Sequence, residues 1–412
     1  MSNFLQLIAE IAIILVAAKA AGYLSTRLKQ PSVFGELLVG VLLGPSLLDV
    51  THLGFITDSH LDEVIYELGE IGVLLLMFLA GLELHLKDLT RNTRVALFAG
   101  VLGVIVPVGL GILFGELLGI PFEQALFLGL TLGATSVSIS AQVLIELKAL
   151  RSRVGLGLLG AAVFDDILVI LILSSAVAFL SGGGSLSGIL WVFAKMVIFL
   201  ALAAAVGFWV LPRLVRVTQK LNVSQGLTTL VLVVLLAYGL AAELIGGMAA
   251  ITGTFMAGLM FSRTPEKSAI ESNLLSIAYA FFVPIFFVSI GLSVNLRELS
   301  LDSMWVFLGI SAIAIAGKIV GSGSGALLAK FTPRESLQIG IGMVSRGEVG
   351  LIIANIGARS GYLSEELLTI IVGMILVTTL VTPPMLRASF DRAAKAKIKP
   401  PTPPLDVEKE SA

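Results

Sequence analysis

The chain is a near-continuous series of apolar stretches, most of them about as long as a helix must be to cross a bilayer, and this excludes almost every soluble fold. Thirteen stretches are read: 4–24, 32–49, 65–83, 93–117, 122–146, 154–180, 187–211, 223–242, 246–262, 270–293, 303–328, 336–358 and 363–388. Their composition agrees, since 13% of the 412 residues are charged, about half the usual share for a soluble protein. The fold class is therefore an all-α polytopic membrane protein.

The connections between stretches alternate in charge. Arg27 and Lys29, Lys87, Arg91 and Arg94, Lys148, Arg151 and Arg153, Arg213, Arg216 and Lys220, Arg263 and Lys267, and Lys330 and Arg334 all fall in odd-numbered connections. With the six basic residues of the tail they place 21 on one face, against Arg297 and Arg359 on the other. Basic loops stay in the cytoplasm, so the N-terminus is expected outside and the C-terminus inside. The opening MSNFLQLIAEIAIILV lacks a basic leader and a small-residue cleavage motif, so 4–24 reads as a retained span. Residues 391–412, ending in AAKAKIKPPTPPLDVEKESA, are expected to form a disordered cytoplasmic tail. A net charge of −1 offers no field for nucleic acid, and the lack of cysteine removes disulfides, thiolate metal sites and cysteine nucleophiles.

Two segments repeat in opposite orientation. Gly81-Leu82 and Leu86-Lys87-Asp88-Leu89 match Gly291-Leu292 and Leu296-Arg297-Glu298-Leu299, 210 residues on, and the connections that follow lie on opposite faces. At nearly the same offset, GATSVSIS in the fifth stretch falls against MVSRGEVG in the twelfth. Glycine and polar residues interrupting an apolar run at matched positions of inverted halves point to broken helices around a transport site.

Ionisable residues cluster at the same depth. Asp165 and Asp166 lie about eleven residues into the sixth stretch, roughly 16 Å deep at 1.5 Å per residue. Lys318, Thr135, Arg346 and Glu348 fall at a similar level in the eleventh, fifth and twelfth. Charge at mid-membrane is costly and marks function. Adjacent helical residues point about 100° apart, so one aspartate is free to pair with Lys318 while the other lines a cavity. That divergence argues against an aspartyl protease, whose carboxyls converge from separate elements on one water, and no enzymatic activity is expected. Arg346 and Glu348 are read as a structural charge pair neutralising half-helix ends. Lys19 and Glu83, near the ends of their stretches, and Glu36 and Glu70, near the starts of theirs, are expected to reach the interface. Glu10 and Lys195 lie deeper and are given no role.

Seven motifs together resemble the monovalent cation:proton antiporter-2 family of the bacterial sodium/proton antiporter type. They are QPSVFGELLVGVLLGP (30–45), LMFLAGLEL (76–84), ATSVSIS (134–140), FDDILV (164–169), PIFFVSIGL (284–292), the lysine of AGKIVGS (316–322) and GMVSRGEVGL (342–351). The resemblance implies about thirteen helices in two inverted six-helix repeats, with broken crossing helices in spans five and twelve. It implies a scaffold and dimer part at 1–92 and 223–293, a moving core at 93–180 and 303–388, and a linking helix at 187–211. By position, Asp166 resembles the ion-binding carboxylate and Asp165 the acid paired with Lys318, with Thr135 and Ser136 at the crossing and Asp166 and Thr135 as cation ligands. This implies electrogenic exchange of sodium, or of lithium or potassium, for protons, by a homodimer in the lipid of the bacterial inner membrane and with no cofactor. The chain departs from the potassium-efflux branch in lacking a cytoplasmic nucleotide-sensing domain and a glutamine before the aspartates. It also carries hydroxyls where some relatives place an acid in the fifth-span break. The alternative is a sodium-coupled organic-anion carrier of the same fold type, which adjacent carboxylates disfavour.

Overall fold

The computed structural model describes residues 2–49, 60–84, 93–180, 186–220, 223–293, 295, 297 and 303–397, without the side chains of Asp62, Ala178, Leu186, Glu348 and residues 391–397. Among these residues ten helical runs are long and apolar enough to cross a membrane. They comprise α1 (Asn3–Arg27), α3 (Leu61–Glu83), α4 (Thr93–Leu117), the broken α5 (Phe122–Gly133) and α6 (Val137–Glu146), α7 (Arg153–Leu180), and α8 (Leu186–Trp209). After the short α9 (Leu211–Thr218) follow α10 (Gly226–Ala241), α12 (Lys267–Ile277) continued by α13 (Val283–Leu292), α14 (Met304–Leu328) and α17 (Glu365–Lys397). The remaining apolar helices are shorter: α2 (Ser32–Leu43), α11 (Ala250–Phe261) and α16 (Glu348–Arg359), the last preceded by α15 (Pro333–Gly342). Twelve residues rise about 18 Å, so α2 and α11 are too short to cross alone. Ten of the thirteen expected stretches thus have full length.

Three local features depart from the plain apolar pattern. The eighth and tenth stretches widen into π-helical turns at Ala242–Gly246 and Ala278–Phe282. Amphipathic α9 follows the seventh stretch and carries Arg213 and Arg216. The last helix continues to Lys397, past the point at 391 where the tail was expected to begin.

The helices pack in two groups. In one, α4 lies against α14, α5 and α7, while α14 also meets α15 and α17, and α16 fits between α5 and α17. In the other, α3 packs on α11 and α13, α2 on α1 and α13, and α10 on α11. The α3–α11 crossing is set by glycine: a Cβ on Gly258 would lie 2.0 Å from the Phe78 carbonyl oxygen, and one on Gly81 would lie 2.2 Å from that of Phe255. Only a residue without a side chain lets these backbones touch. Apolar side chains on the outer faces of α1 and α8, among them Phe4, Val16, Leu190 and Trp191, remain exposed, an arrangement that lipid satisfies and water does not.

Candidate functional site

Two helices come apart where glycine and hydroxyl residues interrupt the apolar runs. Residues 134–136 separate α5 from α6, and residues 343–347 separate α15 from α16. Short hydroxyl side chains compete for backbone partners, which lets such segments leave the helix without stranding polar groups. The two unwound segments bind each other: the Ser136 N–H donates to the Ser345 carbonyl at 2.8 Å, and the Ser345 hydroxyl donates to the Ser136 carbonyl at 2.7 Å. The Ser140 hydroxyl adds a bond to the Gly342 carbonyl at 2.5 Å. A Cβ on Gly347 would sit 2.8 Å from that of Ser136, so glycine is the residue that permits this crossing.

Breaking a helix exposes its last carbonyls, the negative end of its dipole. Here two cations cover the end of α5. Lys318 Nζ donates to the Gly133 carbonyl at 2.6 Å, and Arg346 Nη2 donates to that of Leu132 at 2.7 Å. Arg346 also reaches the Ala314 carbonyl at 2.9 Å and its own segment's Val344 carbonyl, while the Thr379 hydroxyl donates to the carbonyl of Arg346. The expected partner of Arg346, Glu348, begins α16, and its side chain lies outside the described residues. Among the described residues, the hydrogen-bond partners of the guanidinium are backbone oxygens.

Lys318 also pairs with Asp165, Nζ to Oδ1 at 2.6 Å, and both side chains are sealed from solvent. Thr135, in the first break, lies against Asp165. Asp166, one residue on, faces elsewhere. It is 8% exposed and borders a cleft of about 10 Å³ among Met77, Val137, Leu159, Ile251 and Thr252. The Thr252 hydroxyl, on α11, donates to Asp166 Oδ2 at 3.1 Å. Ile251 lines both this cleft and a cavity of about 450 Å³ bordered by Tyr66, Glu70, Glu243 and Leu351, at the helix ends away from the basic loops.

On the basic-loop side the two helix groups are tied together. Glu146, ending α6, accepts from the Ser32 N–H at 2.9 Å and from the Ser32 hydroxyl, at the start of α2. Tyr279 donates to Gln142 at 2.7 Å, and Lys19 donates to the Tyr279 carbonyl at 2.8 Å. Glu36, expected at the interface, is instead buried beside a cavity of about 220 Å³ that Lys19, Gln142 and Tyr279 also line. Packing of α2 against α1 and α13 places it inward. Glu10 is likewise buried and Lys195 half-buried.

The structure therefore brings Asp165, Lys318, Thr135, Ser136 and Arg346 together, with Asp166 beside them. Sequence reasoning missed Thr252, Ser32 and Glu146. Thr252 lies within AITGTF, an apolar run in which one more threonine carries no signal.

The sequence profile of the transmembrane sodium/hydrogen exchangers matches residues 12–390. The chain is 42% identical over 390 residues to the Na(+)/H(+)-K(+) antiporter GerN of Bacillus cereus, covering 94% of this chain and 98% of that relative. It is 36% identical to an Na(+)/H(+) antiporter of Enterococcus hirae, covering 93% and 98%. The solved structure of the sodium proton antiporter MjNhaP1 from Methanocaldococcus jannaschii superposes with a TM-score of 0.70, covering 95% of this chain and 98% of that one. At 18% identity this last likeness shows the fold alone.

Proposed function

The chain belongs to the sodium/hydrogen exchanger family, and from that premise we propose that it exchanges a monovalent cation, sodium first, for protons by alternating access across a bacterial plasma membrane. The observation that carries this reading is Asp166, a mid-membrane carboxylate on a cleft, next to the Asp165–Lys318 pair and the crossing of two broken helices.

An ionised Asp166 attracts either a proton or a small hard cation, and the two exclude each other at one carboxylate. Sodium takes oxygen ligands, and we assign Asp166 and the hydroxyl of Thr135, which lies beside the neighbouring Asp165, as two of them. The neutralised site crosses more readily than the charged one, which couples the flows. Disturbance of the Asp165–Lys318 pair on cation arrival would release a further proton and make the exchange electrogenic. A cleft of about 10 Å³ holds about one water-sized body, which suits an ion and not an organic acid. The larger cavity beyond Ile251 carries Glu70 and Glu243, which repel an anion.

Contacts that recur between the two halves support an inverted repeat. If spans two and three correspond to nine and ten, then the α3–α11 contact maps onto the α13–α2 contact, and both are extensive. Likewise α4–α7 maps onto α14–α17. We assign α4–α7 and α14–α17 to the core, α1–α3 and α10–α13 to a scaffold that dimerises, and α8 to the link between them. In this reading thirteen helices cross or line the bilayer with the N-terminus outside. The test is a dye-quench assay in proteoliposomes with sodium, lithium and potassium, with and without a clamped potential. Cation-driven proton flux that responds to the potential supports the proposal, and its absence with every alkali cation overturns it.

A further inference from the structure

Thr252 behaves unlike the other hydroxyl residues around it. Thr254, Ser262 and Thr264 each donate to a carbonyl three residues back, the usual habit of a buried hydroxyl in or just past a helix. Thr252 forgoes that local bond and donates across to Asp166, on a helix of the other packing group. It stands in the first turn of α11, so the carboxylate meets a hydroxyl donor at the positive end of a helix dipole. Both features favour a charged Asp166 held against α11.

An exchanger must solve one problem besides binding: the unloaded, charged carrier must stay put, because its crossing would turn exchange into a one-way leak. Resting on the exchange reading above, we propose that Thr252 is the positioning residue that holds the unloaded carrier, its hydroxyl tying ionised Asp166 to α11 and yielding once a cation or proton neutralises the carboxylate. A hydrogen bond to a charged acceptor is about twice as strong as one to a neutral acceptor. Loading therefore weakens this contact selectively, and a ligand shifts a conformational equilibrium only through such a difference. Asp165 cannot do this, since its partner Lys318 lies on α14, within the same packing group.

The experiment uses the purified full chain in vesicles free of alkali cations, with a thiocyanate gradient imposing an inside-negative potential and a trapped dye reporting proton entry. Wild type should admit protons no faster than protein-free vesicles. Thr252→Val, which keeps the shape and removes the hydroxyl, should admit them about tenfold faster, equivalent to about 1.4 kcal/mol of lost restraint. Thr252→Ser should restore tight coupling, which a purely packing role would not predict. A Thr252→Val protein that still exchanges sodium for protons but leaks no more than wild type overturns the proposal. Should that variant fail to fold, Thr252→Ala is read in the same way. Hydrogen exchange on the wild type adds a second measure: sodium should speed exchange in the first turn of α11, and unchanged exchange contradicts the inference. A wild type without any cation-driven proton flux refutes the exchange reading instead.

Discussion

Lys318 donates to acceptors on two helices, the Asp165 carboxylate of α7 and the Gly133 carbonyl that ends α5. Removing the lysine strands a buried charge, and breaking such a pair costs about 3–5 kcal/mol, whereas removing both partners costs far less. Lys318→Ala should therefore lower the unfolding temperature in detergent more than the double variant Asp165→Asn, Lys318→Ala does. A double variant as unstable as the single one would show that the pair is not what the lysine stabilises. Arg346 is a different case, because its contacts are carbonyls of α5, α14 and its own break. Arg346→Met leaves several of these oxygens unsatisfied at about 1–3 kcal/mol each. Arg346→Lys, which keeps the charge but offers fewer donors, should fall between the two in the same thermal measurement; equal midpoints for the wild type and the methionine variant would contradict this.

At the scale of elements, the break after α5 frees the Leu132 and Gly133 carbonyls that Arg346 and Lys318 cover, and its crossing with the second break brings Arg346 there. Adding a methyl group at Gly347 would push against Ser136, at 2.8 Å between the two Cβ positions. Gly347→Ala should cut exchange at least tenfold, about 1.4 kcal/mol, and a second change, Ser136→Gly, should recover most of it. Exchange rates in proteoliposomes decide the matter, and an unimpaired Gly347→Ala would mean that the breaks do not need this approach. The crossing was legible in the sequence because polar residues and glycine interrupt two apolar runs at matched positions. What bonds to what was not legible: hydroxyls of Ser136, Ser138, Ser140 and Ser345 have identical local signals, and only the folded chain selects their partners. The π-helical turns escaped notice for a related reason, since widening a helix by one residue per turn leaves an apolar run looking the same. The position of Glu36 near the start of a stretch is compatible with the interface, but it is buried by α1, the helix just before it, and by the turn before α13, far away in the chain.

For the molecule as a whole, the proposed cycle requires the two helix groups to move past each other. On the basic-loop side they are joined by Glu146 on α6 and Ser32 on α2. The chain contains no cysteine, so Glu146→Cys with Ser32→Cys offers a clean pair for a short reducible crosslinker. Crosslinked protein should lose exchange and regain it on reduction, and full exchange while crosslinked would show that these groups need not separate. The alternation of basic connections is legible in the sequence, whereas the contact of Thr252 with Asp166 is visible only in three dimensions. The account stands most directly on Asp166 as the carboxylate that protons and cations share. Sodium-driven proton movement should be compared in proteoliposomes of wild type and Asp166→Asn at matched protein content. The account predicts that sodium discharges the imposed pH gradient with the wild type and that the variant matches protein-free vesicles, whereas a variant that still discharges the gradient at a comparable rate would contradict it.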